Sequence, residues 1–208
     1  MAARKSVLSL VVLLGLGAPA LACQGTGTPQ LDENFKTPDL GWGRPDDVGT
    51  FTPNGLALTA PVNGSAWRIN RSYTLGTADW CVEAVNPARP PSLADEAGDV
   101  GIWFWGLDSQ NFYTATIALD GTAAIDRLAG GKWQAVVPPT ASSAIKTAPN
   151  AVNEIEVVLR GGAGTLFVNG GKITDFRGQA PPDGGSPGVY AESGPEGSTW
   201  VFARARLF

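Results

Sequence analysis

The chain has 208 residues, a net charge of −4 and no histidine. Without an imidazole, Ser-His-Asp and Cys-His catalysis and His-ligated zinc or iron sites are excluded, and no side chain with an ordinary pKa near neutrality remains for acid–base work. The acidic balance leaves no basic patch of useful size, which argues against nucleic acid and anionic membrane as partners.

Residues 1–22 begin with Arg4 and Lys5, continue through an apolar run over 6–16 and end in Ala20-Leu21-Ala22. This is the form of a signal peptide cut after Ala22. The apolar run is shorter than the roughly 20 residues that span a bilayer, so no membrane span is expected. The expectation is an exported protein, secreted or periplasmic, with a single domain over 23–208. Only two cysteines are present, Cys23 and Cys81. Cys23 would become the first mature residue and so is a candidate for a lipid anchor at the envelope. Outside the cytosol it could instead pair with Cys81 in a disulfide. These two states exclude each other, and a pair of unbonded small apolar side chains is the third alternative.

Beyond the leader no long segment repeats apolar residues at helical spacing. Short β-rich runs recur between turns built from 27 glycines and 16 prolines, the pattern of an all-β, two-sheet antiparallel jelly-roll sandwich. Residues 30–49 supply an edge strand and a loop. Runs at 50–52 and 56–59 flank Pro53-Asn54-Gly55, a hairpin signal. Strands follow over 65–73 and 79–85, then a Pro-rich excursion over 86–98. The central hairpin pairs 100–105 with 111–118. Asp120-Gly121 turns into 122–128, Gly130-Gly131-Lys132 leads into 133–137, and 138–152 reads as a long loop. Strands over 153–160, 165–168 and 171–176 follow, with Asn169-Gly170 a strong two-residue turn. After a third long loop over 177–187, strands at 188–191 and 199–207 close the chain.

The central hairpin carries the first candidate site. Alternation puts Ile102 and Phe104 on one face and Trp103 and Trp105 on the other, roughly 6.6 Å apart at about 3.3 Å per residue. Phe112, Thr114 and Thr116 share a face of the next strand. Flat rings at that spacing suit stacking on the apolar faces of sugars, with the threonine hydroxyls bonding to sugar hydroxyls. A continuous apolar run such as IWFW is equally the mark of a strand covered on both sides, for instance by the loop over 86–98.

The succession GDVGIWFWGLDSQNFYTATIALDGTAAIDRL, NEIEVVLRGGAGTLFVNGGKI, SPGVYAES and VFARARLF resembles a concanavalin A-like (laminin-G/glucanase superfamily) sandwich over about 31–208. Within it the chain looks most like the bacterial 3-keto-disaccharide hydrolase domain family. That resemblance implies a jelly roll and a keto-glycoside hydrolase or lyase. Folds of this kind also host lectins and inert adhesion modules, so the resemblance speaks to architecture more than to activity.

Sugar cleavage needs paired carboxylates. Glu154 and Glu156 share one face of NEIEVVLR and resemble part of the E-x-D-x-E pattern of family 16 glycoside hydrolases. Val158 stands where the third acid belongs, and a solvated outer strand face accounts for both glutamates and Arg160. For a keto-glycoside elimination the base would be Glu154, Glu156, Asp126 or Tyr113. Calcium is the one cofactor with oxygen-rich positions to offer it, at Asp32-Glu33, Asp99 and Asp108 with Asn111, although solvated turns explain these too. The readings are a non-catalytic carbohydrate-binding or adhesion domain using the Trp103/Trp105 face, the hydrolase or lyase, and a structural envelope domain without a small ligand.

Overall fold

The computed structural model describes residues 23, 25–88 and 98–208. The expected leader over 1–22 and most of the Pro-rich excursion, residues 89–97, lie outside the described residues. Fourteen strands are present among them: β1 (Leu31–Glu33), β2 (Gly49–Thr52), β3 (Gly55–Ala60), β4 (Ser65–Ile69), β5 (Thr77–Val85), β6 (Asp99–Asp108), β7 (Asn111–Ala118), β8 (Thr122–Ala129), β9 (Lys132–Ala141), β10 (Val152–Arg160), β11 (Ala163–Val168), β12 (Gly171–Arg177), β13 (Ser186–Glu192) and β14 (Ser198–Leu207). One sheet has the order β12-β11-β10-β5-β14-β3-β2, with β1 added along β14, and the other has the order β4-β13-β6-β7-β8-β9. All the ladders between them are antiparallel. The chain crosses repeatedly from one sheet to the other, as in a jelly roll.

The core lies between the sheets and is filled by the alternating apolar positions of both. Leu58, Trp80, Ile155 and Phe202 meet Val100, Ile102, Phe104 and Val189 there. The Trp80 indole N–H donates to the Gly188 carbonyl at 3.2 Å, a polar link from one sheet to the other. Most strand ends lie within a few residues of the sequence reading, and two differ from it by four. The strand expected over 65–73 stops at Ile69. Conversely, β9 continues through Pro138 and Pro139 to Ala141, where a loop was expected. Proline has no N–H for a ladder and survives in sheets at edges, and β9 is the edge of its sheet.

Two local features of the six-stranded sheet set the geometry of its outer face. In β6 the register against β7 shifts between Phe104 and Asp108, and the register against β13 shifts between Ser186 and Gly188. Trp105 sits in this bulge at a φ of +48°, the left-handed region that bulky residues rarely occupy. Further along, β8 and β9 are joined by the two-residue turn Gly130-Gly131, with φ of +56° and +75°. Glycine takes up positive φ values without steric cost, and this turn pairs Leu128 with Trp133.

Candidate functional site

The bulge separates the two tryptophans expected to share a face. Inserting extra residues resets the two-residue alternation, so Trp105 swings into the inter-sheet core. It packs there against Phe104, Tyr113 and Phe176 at ring-centroid distances of 5.1, 5.2 and 5.9 Å. Trp103 does face outward, in a separate cluster with Phe112 and Tyr190, yet it is 0% exposed. Phe112 stacks on it at 3.7 Å and Trp67 covers it at 5.7 Å. Its indole nitrogen lies over Gly106, where any Cβ would collide with it. The paired-indole platform expected from the sequence is therefore absent: Trp105 belongs to the core, and Trp103 and Phe112 form a buried aromatic underlayer.

A different indole reaches solvent on this face. Trp133, on the edge strand β9, is 49% exposed. Its ring stands edge-on to Phe112 at 5.5 Å and to Tyr190 at 6.4 Å, so the underlayer holds it in one orientation. Beside it opens a pocket of about 210 Å³ lined by Asp99, Thr114, Thr116, Asp126, Tyr190 and Glu192 along with Trp133. These residues come from β6, β7, β8, β9 and β13, five neighbouring strands of one sheet. The pairing of Thr114 with Asp126 places a hydroxyl and a carboxyl side by side. Tyr190 donates its hydroxyl to Glu192 Oε2 at 2.9 Å, and Thr116 donates to Asp99 Oδ2 at 3.3 Å.

The pocket is strongly acidic. Burial pushes the Asp99 carboxyl up to about 7, and the negative charge of Glu192 adds to the shift against the opposing hydrogen bond from Thr116. Asp126 is also raised, by burial and then by Glu192. The Tyr190 phenol is pushed up by burial and by the same glutamate. Three carboxyl groups thus share one half-dry surface, where mutual repulsion is stronger than in water.

Of the residues singled out from the sequence, Thr114, Thr116 and Asp126 line this pocket and Phe112 lies beneath it. Glu154 and Glu156 do not belong to it: they sit on β10, in the other sheet. They are also not solvated, being 5% and 1% exposed. Glu154 Oε1 accepts the Cys23 amide N–H at 2.6 Å, and Oε2 lies 3.5 Å from an Arg206 nitrogen. Cys23 and Cys81 form a disulfide with their Cα atoms 5.9 Å apart, which holds the first described residue over Glu154. The sulfur that a lipid anchor would require is committed to that bond.

Among the described residues the one group of three side chains of metal-ligating type whose donor atoms lie within 4.8 Å of one another is Cys23, Cys81 and Glu154, and there the sulfurs are bonded to each other. At the expected calcium positions, Asp32 engages Arg204 through two hydrogen bonds and Asp108 accepts from Asn111 and Gln110. A larger cleft of about 580 Å³ lies near Asp32, Glu83 and Arg204. Both of its carboxylates are already engaged, Asp32 with Arg204 and Glu83 with Arg206.

Trp133, Tyr190 and Glu192 were not singled out from the sequence. The signal for Trp133 is its place two residues after Gly130-Gly131, which sets it across from Leu128 and next to the Phe112 row. Tyr190 and Glu192 alternate with Val189 and Ala191, so their shared face is readable. That β13 lies beside β6 is not.

No protein-family model matches the chain, the 3-keto-disaccharide hydrolase family included, and no curated relative matches it either. Solved structures do share its fold. A carbohydrate binding module, CBM66, from Bacillus subtilis superposes with a TM-score of 0.62 at 12% identity, covering 76% of this chain and 89% of that one. A β-glucanase from Bacillus licheniformis gives 0.60 at 13% identity, covering 88% of this chain and 99% of that one. The chain thus shares the two-sheet antiparallel jelly-roll sandwich of these structures.

Proposed function

We propose that this protein is a carbohydrate-binding β-sandwich whose site is the Trp133 pocket. The observation that carries the reading is the half-exposed Trp133 ring, fixed edge-on by Phe112 and Tyr190 at the rim of a pocket of hydroxyls and carboxylates. An oriented aromatic face stacks on the C–H surface of a sugar ring, while polar groups placed beside it bond the hydroxyls. Ordering the platform in advance lowers the cost of binding. The fold is one that a carbohydrate binding module and a β-glucanase also use, which supports the reading at the level of architecture. Action outside the cytosol is part of the proposal: the leader-like residues 1–22 and the Cys23–Cys81 disulfide both fit an oxidising compartment. Titration of an oligosaccharide panel against tryptophan fluorescence tests the site. A saturable change that Trp133→Ala reduces by tenfold or more in affinity, with the fold intact, is expected. An unchanged affinity in that variant, or silence across the panel, overturns the reading.

One observation favours a second reading, cleavage of a glycoside or of a 3-keto glycoside at the same pocket. Asp99 keeps its proton to about pH 7 within a group that includes Asp126, and an acid beside a base is the pairing such cleavage uses. Turnover of a 3-keto disaccharide by the pure protein, lost in Asp126→Asn, is the expected result under this reading; no turnover removes it.

A further inference from the structure

We infer that the pocket selects sugars bearing a free amino group, a glucosamine-type residue, over their N-acetylated and neutral counterparts. The inference rests on the sugar-binding reading above and adds the charge of the ligand to it. Three of the seven lining side chains are carboxyls, Asp99, Asp126 and Glu192, and none is lysine or arginine. Among the described residues none of the three takes part in an ion pair. Asp99 and Glu192 each have one hydroxyl donor, from Thr116 and Tyr190. The shift at Asp126 arises from burial and from Glu192, with no hydrogen bond opposing it. All three therefore retain acceptor capacity toward the pocket.

A second observation, independent of the acids, points to a ligand. The Thr114 side chain is 2% exposed and lines the pocket, yet its hydroxyl has no hydrogen-bond partner among the described residues. The hydroxyl is not one of the sealed polar atoms that lack a partner, so its bonding capacity is open to the pocket. A sugar ring resting on Trp133 would bring its hydroxyls to Thr114 and its ammonium to Asp126 and Glu192. The ammonium would offset the repulsion within the acidic group and form charge-assisted hydrogen bonds, which are stronger than neutral ones. A bare divalent cation fits less well, because the three carboxyls do not converge: they are not among the donor groups whose atoms lie within 4.8 Å of one another.

The test is a fluorescence titration of the protein with three short oligomers of one linkage: glucosamine, N-acetylglucosamine and glucose. Each is measured at low and high salt and with and without calcium. The glucosamine oligomer is expected to bind about tenfold tighter, the scale of one partly desolvated charge-assisted contact, with a preference that shrinks at high salt. Asp126→Asn and Glu192→Gln should each erode the preference, while Trp133→Ala weakens all three sugars. Glu192 is exposed, so its variant retains the fold if the Asp126 variant does not. Equal affinity for the three oligomers, a preference that survives both acid substitutions, or binding of the neutral oligomer that calcium alone confers would overturn the inference. Trp133-dependent binding without amine preference sinks only the inference; no binding of any oligomer sinks the sugar-binding reading with it.

Discussion

Asp99 shows how a single residue reports the acidity of the outer face. Its carboxyl is raised from the usual 3.8 to about 7, chiefly by burial. Between those values the folded protein holds a proton that the unfolded chain has released, so this group costs stability as pH rises from about 4 to 7 and no more above that. Asp99→Asn removes the titration. The stability difference between variant and wild type, measured by denaturant unfolding at several pH values, should shift in favour of the variant across that window. A difference independent of pH would show that Asp99 titrates normally. Trp133 makes the complementary point, since its importance follows from how much of its ring stays in water. Trp103, three strands away in the same sheet, has the same chemistry and is sealed.

At the level of the element, β6 decides what the sheet presents. A regular strand would put Trp103 and Trp105 side by side, and the bulge gives one of them to each layer. Trp105→Ala is accordingly expected to cost about 3–5 kcal/mol of stability, as for other buried tryptophans, while leaving the sugar response of the folded protein intact. Loss of the sugar response in a stable Trp105→Ala protein would restore the paired-indole site. The β8–β9 hairpin acts in the opposite direction, because its glycine turn was legible and with it the partner of Trp133. The segment between β9 and β10 was legible only as a loop. Asparagine amides hold it in place: Asn86 donates to the Lys146 and Ala148 carbonyls, and Asn169 to the Ala144 carbonyl. Nothing in the spacing of these asparagines along the chain shows that they meet.

For the molecule as a whole, the disulfide links Cys23 to the middle of a sheet across 58 residues. Closing a loop of that length restricts the unfolded chain by about 4 kcal/mol in the entropic account, a large share of the roughly 5–15 kcal/mol that keeps a domain folded. Replacing Cys23 and Cys81 together by serine should lower the denaturant midpoint by a corresponding amount. Sugar binding should persist under native conditions, because the pocket lies on the opposite sheet. A double variant as stable as wild type would show that the bond does not constrain the unfolded chain.

The amino-acid sequence by itself determined the class of this protein. Turn residues and two-residue alternation are local properties, so they specified an all-β sandwich, the approximate place of most strands and the exact span of β7. The lack of histidine narrowed the chemistry in the same direct way. Which side chains meet water was decided by the tertiary structure, through a bulge that broke the alternation at Trp105, a neighbouring indole that covered Trp103 and an N-terminal segment that covered Glu154. Those are contacts between residues far apart in the chain, and a face defined by five strands exists only once the strands have found their order.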